Sequence, residues 1–200
     1  MINSRILLSA ASIAAAGALV IGATFAYFSD SGTSSNNSFS TGTLDLKLSD
    51  DTSETDQDSV TASFGGTLVP GGCTGNQQLR LKNSGTVNAN HAEVRLTSNV
   101  VTDTGNNASP DIDTFLRINL LTYDGGDVTG QLSDTNSNVF LDLADWAATP
   151  AALDNLSLTD LSANHPLVMD VCLDSNAGNT LQGDSVVSTF TVDLNQHSSQ

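Results

Sequence analysis

Positive charge is what this 200-residue sequence has least of: six Lys and Arg stand against 22 Asp and Glu, for a net charge of −16. A field of that sign repels phosphate backbones and anionic headgroups, which excludes nucleic acid as a partner and any adsorbed, basic membrane face. Histidine is scarce too, and His91, His165 and His197 are scattered, with no HExxH zinc-peptidase pattern among them. His91 precedes an alternating segment with Glu93 two positions on, so both read as surface residues; His197 falls in a terminal tail. No GxSxG elbow, phosphate loop or GxGxxG occurs, and the GDS at 183–185 reads as a turn entering a strand. No constellation for catalysis is left, and the expectation is a chain that is not an enzyme.

Long apolar runs are missing except at the start. The short segment MINSR leads into an uncharged Ala/Leu/Ile-rich run over 6–26 that ends in GATFA. Small residues at that exit, with cleavage after Ala26 so that the mature chain begins at Tyr27, describe an export signal over 1–26. Two alternatives share the residues: a retained membrane helix, for which the run is long enough, and a pilin-type helix cut before the run. The absence of a basic stop-transfer cluster and of a Glu at the head of the run favours the signal. Any membrane contact is then confined to the signal segment before cleavage.

Cysteine occurs only as Cys73 and Cys172, too far apart for a CxxC redox or zinc motif. In an exported chain an even pair points to a disulfide; two unpaired buried thiols are the alternative. By the loop-entropy model, closing about 100 residues contributes up to ~4.7 kcal/mol.

What remains reads as strands. Leu44, Leu46 and Leu48 alternate with Asp45 and Lys47; Leu79 and Leu81, then Ala92, Val94 and Leu96, repeat the pattern. Leu116, Ile118 and Leu120 are expected on one face opposite Arg117 and Asn119. Leu167, Met169, Val171 and Leu173, and then Val186, Phe190, Val192 and Leu194, form two more inward rows. Such one-sided strands belong to antiparallel sheets. VPGG at 69–72, KNSG at 82–85, YDGGD at 123–127 and NAGN at 176–179 supply turns. Only 144–156 has helical composition, and Pro150 would split it into two short pieces or start the second. The expected fold is all-β, a jelly-roll-like antiparallel sandwich over 42–196 with a short helical insertion, preceded by a polar segment 27–41 and followed by a tail 197–200.

The Asp-rich run 50–59 reads as a solvated loop. Within it 50–58, and further on 174–184, are the stretches with oxygen donors for calcium, without the EF-hand spacing; no other cofactor is expected. Asn36, Asn107 and Asn155 head glycosylation sequons.

The junction TFAYFSDSGTSSNNSFSTGTLDLKL, 24–48, together with LVPGGCTGNQQLRLKNSGTVNANHAEVRL, 68–96, and the closing GDSVVSTFTVDLNQ, 183–196, resembles the TasA/camelysin family of exported proteins. The resemblance implies a jelly-roll subunit of extracellular biofilm-matrix fibres or bundling pili, in which the mature N-terminal segment of one subunit enters the next as a strand. It implies identical subunits as partners, a secreted or cell-surface location, and a donor strand anchored by Tyr27, Phe28 and Phe39. The residues suit this: the Ser, Gly, Thr and Asn of 29–38 make a pliable tether, and main-chain pairing would hold the segment. Head-to-tail contact of that kind makes open filaments. Two other readings are a monomeric adhesin or envelope protein with the segment folded back on its own sheet, and a surface metallopeptidase, an activity the family has also been credited with.

Overall fold

A computed structural model describes residues 3–24, 38, 40–51, 54–61, 63–104, 111–149 and 153–197. The chain divides into two compact units, Met1–Ser40 and Thr41–Gln200.

In the first unit the apolar run forms helix α1, Ser4–Thr24. Ile6, Leu7, Leu8 and Ile13 are exposed on it. Among the described residues, no helix is long and apolar enough to cross a membrane. The cleavage site at Ala26 and Tyr27, the anchors Phe28 and Phe39, and Asn36 and Asn107 lie outside the described residues.

The second unit is an antiparallel sandwich. Its strands are β1 (Leu46–Asp50), β2 (Gln77–Asn83), β3 (His91–Thr102), β4 (Leu116–Tyr123), β5 (Gly126–Asp127), β6 (Leu153–Leu156), β7 (His165–Leu173) and β8 (Ser185–Asn195). One sheet has the order β1-β2-β7-β4-β5 and the other β6-β3-β8. The alternating rows from both sheets meet in one core, where Leu81, Leu121 and Leu167 face Val94, Leu96 and Leu153. Each such side chain contributes about 1.5–3 kcal/mol by leaving water.

Four local expectations are corrected. The first strand, its inward row expected to start at Leu44, begins at Leu46, and Leu44 precedes it half-buried. The chain before it runs against the turn at 84–87: the Thr43 carbonyl accepts the Thr86 N–H at 2.8 Å. Glycine is required in that turn, since a Cβ on Gly85 would sit 2.1 Å from the Thr43 oxygen.

In β4 it is Leu121, not Leu120, that is fully buried, followed by Tyr123. Register along β7 shifts between Ile118 and Leu120, leaving Asn119 as an extra residue. A one-residue bulge turns every later side chain to the other face. Asp170 holds the bulge by accepting from the Asn119 amide at 2.9 Å.

The helical segment gives a single helix, α2, Leu143–Ala148. Asp142 and Asp145 form a reciprocal capping box at its start. Beyond it, 153–156 is strand β6 rather than a second helical piece. Leu153 and Leu156 are buried against Val94 and Ala92 of β3, so tertiary burial overrides a weak helical propensity.

The Asp-rich run is not simply solvated. Asp50 is buried, and Gln57 turns back to exchange two main-chain hydrogen bonds with Leu48 at 2.7 and 2.9 Å. Asp58, Asp56 and Asp51 pair with Lys47, Lys82 and Arg80, so three of the six basic residues hold this loop to β1 and β2.

Candidate functional site

Two places in the sandwich combine unusual chemistry with access. The larger is an open cavity of about 650 Å³ between the two sheets. Leu46, Leu79, Met169 and Val171 line it from the larger sheet and Leu68 from the loop before β2. Opposite them, every residue of β8 from Val186 to Val192 contributes. Consecutive residues of a strand point to opposite faces, so an unbroken lining means that the cavity reaches the strand's main-chain edge. Among the described residues, β8 pairs only with β3 and ends its sheet. Its sequence, SVVSTFTVDLN, has no Pro or Lys to blunt that edge. Phe190 is held at the cavity floor between Trp146, at 5.1 Å, and Phe64, at 5.6 Å, both edge-on. By contrast, the far side of β1 is occupied at Leu48 by Gln57.

The second place is on the outer face of the smaller sheet. His91 and Glu93, expected at the surface, are buried at 3% and 7% exposure. They project from β3 on the face opposite Ala92 and Val94, beside Asn195 of β8. The Asn195 amide donates to Glu93 Oε1 at 2.8 Å and lies 3.2 Å from His91 Nε2. A bulge in β6 delivers Asp154: Ala92 pairs with Leu156 and Val94 with Leu153, so Asp154 and Asn155 together oppose Glu93. Asn155 takes the left-handed conformation there, φ 59°, which Asn tolerates better than most residues. Its side chain is exposed, as a sequon asparagine's must be for modification. Asp154 Oδ1 comes within 3.7 Å of His91 Nε2. Arg95 pairs with the other Glu93 oxygen at 3.2 Å and also with Asp193.

Sequence reasoning had the alternation HAEVRL but not this cluster, because Asp154 and Asn195 arrive from distant strands. The only local signal was that His91, Glu93 and Arg95 share one strand face.

Cys73 and Cys172 are joined in a disulfide tying the loop before β2 to β7. Beside it, Thr74 donates to Asp170 at 3.2 Å. Arg117, paired in register with Cys172 across β4 and β7 of the larger sheet, bonds Asp174 and stacks its guanidinium 3.2 Å from the Phe140 ring centroid. Asp174, heading the stretch considered for calcium, is thus engaged by a cation, and its Oδ1 accepts the Asn176 N–H at 2.7 Å. The groups of described residues arranged to hold a metal are His91, Glu93 and Asp154, and Cys73, Asp170 and Cys172, whose sulfurs the disulfide consumes.

A family model described as camelysin metallo-endopeptidase matches residues 2–200. No curated protein matches the chain.

Proposed function

The chain belongs to the camelysin metallo-endopeptidase family, which includes TasA, and we propose that it is a structural subunit of an extracellular filament, built when the mature N-terminal strand of one copy enters the sandwich of the next. The observation that carries this reading is the edge of β8, unpaired among the described residues, opening onto an apolar cavity. Such an edge offers free N–H and C=O groups in register with side-chain pockets, which is what β-augmentation needs. Seven residues of β8 lining the cavity correspond to a strand of about 23 Å, so an incoming segment of similar length can pair along it. Tyr27, Phe28 and Phe39 are the large apolar side chains of the 27–41 segment and supply its anchors. If about eight main-chain bonds form at roughly 1 kcal/mol each, they offset much of the cost of ordering the segment.

The apolar helix α1, with its exposed Ile and Leu side chains, suits a signal removed on export to the cell surface. Deleting residues 27–38 tests the assembly: the expected result is a folded monomer in sedimentation and no fibres in electron micrographs. Fibres of unchanged length would overturn the proposal, whereas a full-length chain that stays monomeric would favour a monomeric envelope protein using its own segment.

The family's description also names a metallo-endopeptidase, and His91, Glu93 and Asp154 are a donor set able to hold a metal. Bound there, a metal ion would supply Lewis acidity. Chelator-sensitive cleavage of casein by the pure protein would establish the peptidase reading in place of a purely structural one.

A further inference from the structure

We propose that His91, Glu93 and Asp154 bind one divalent ion of the zinc class, which ties β6 to β3 in the smaller sheet. The inference is independent of filament assembly, because the site lies on the outer face of β3 and not in the cavity beside β8.

The geometry is that of a ligand set. His91 Nε2 lies 3.2 Å from Glu93 Oε1 and 3.7 Å from Asp154 Oδ1, and the three atoms are all within 4.8 Å of one another. Tetrahedral ligands about 2.0–2.1 Å from zinc stand about 3.3–3.4 Å apart, so a small contraction at Asp154 closes the shell. The side chains of His91 and Glu93 are 4% and 9% exposed and that of Asp154 45%, which leaves one side open for entry.

The surrounding groups set up the donors. Asn90 Oδ1 is 3.2 Å from His91 Nδ1; a carbonyl can only accept, so Nδ1 is the donor there and Nε2 is the ring nitrogen turned to the carboxylates, free to coordinate once it carries no proton. A partner on the far ring nitrogen is the usual support of a metal-binding imidazole. Arg95 does the equivalent for Glu93, holding Oε2 and leaving Oε1 toward the cluster. Two carboxylate oxygens and an imidazole nitrogen thus converge on one point, with the Asn155 N–H donating to Asp154 Oδ1 at 2.7 Å and the Asn195 amide to Glu93 Oε1. A half-turn of that amide exchanges its nitrogen for its oxygen and supplies a fourth ligand from β8.

The donor chemistry selects the ion. An imidazole suits zinc and its transition-metal neighbours, whereas calcium wants six to eight oxygens. The chain's net charge of −16 raises the local concentration of any cation.

The test takes the purified protein through a chelator, then titrates zinc and cobalt. One zinc per chain by elemental analysis, visible d–d bands of tetrahedral cobalt and a higher thermal midpoint are expected. Asp154→Asn, on a half-exposed side chain, should keep the native circular dichroism and lose the cobalt bands. Asn90→Ala should weaken zinc binding by about 10–100-fold, the usual effect of removing a supporting partner. Absence of cobalt bands at saturation in the unmodified protein, or equal zinc affinity in Asp154→Asn, would overturn the proposal.

Discussion

Phe64 meets Phe190 edge-on, with ring centroids 5.6 Å apart and planes 75° from one another. The first comes from the loop before β2 and the second from the unpaired edge strand, so this contact joins the two sides of the open cavity. Any strand that enters alongside β8 passes next to it. In the proposed assembly the contact would link the stability of the fold to the seating of a neighbour's strand.

A charge on the edge should stop assembly while sparing the subunit. Val187 is 65% exposed on β8, and Val187→Lys places an ammonium where a neighbour's main chain would pair. Filament length in micrographs should collapse, while the unfolding free energy from urea titration should change by no more than about 0.5 kcal/mol. Normal fibres would place the accepting edge elsewhere.

The bulge at Asn119 has a quantitative signature. Leu121→Ala, at a fully buried position, should cost about 2–5 kcal/mol in equilibrium unfolding. Leu120→Ala, at a half-buried one, should cost distinctly less. Strict alternation along LRINLL would give the reverse order.

Removing the disulfide should weaken the domain without redirecting its topology. The double replacement Cys73→Ser with Cys172→Ser is expected to cost ~2–5 kcal/mol, since a crosslink over so long a loop restricts mainly the unfolded chain. Reduction of the unmodified protein should lower its unfolding free energy by a similar amount.

Stability should increase on mild acidification. Burial pushes the Asp142 carboxyl above its ordinary value against the hydrogen bonds from Asn136 and Asn138, and burial does the same to Asp113. A carboxyl raised in the folded state contributes stability that is fully present below its unfolded pKa and is lost as pH rises through the folded value. Lowering pH from about 7 to about 5 should therefore raise the thermal midpoint, an effect reinforced by relief of the −16 self-repulsion. The opposite shift at Asp58, held low by Lys47, concerns an exposed carboxylate and is screened by solvent. A midpoint that falls steadily over this range would contradict the assignment.

The sequence by itself determined the rows of alternating residues, and with them the all-β class, because side-chain direction in a strand is a local property of period two. It also limited cysteine chemistry to a single pair and marked the apolar N-terminal run. Only the tertiary structure decided which residues of β4 face the core, since Asn119 bulges against β7 and not against anything nearby in sequence. Likewise 153–156 became strand because β3 offered Ala92 and Val94 to cover Leu153 and Leu156. The same strand brought Asp154 to His91, and the order β6-β3-β8 left β8 with one unpaired edge. These features depend on contacts between distant segments, which a reading of local period cannot reach.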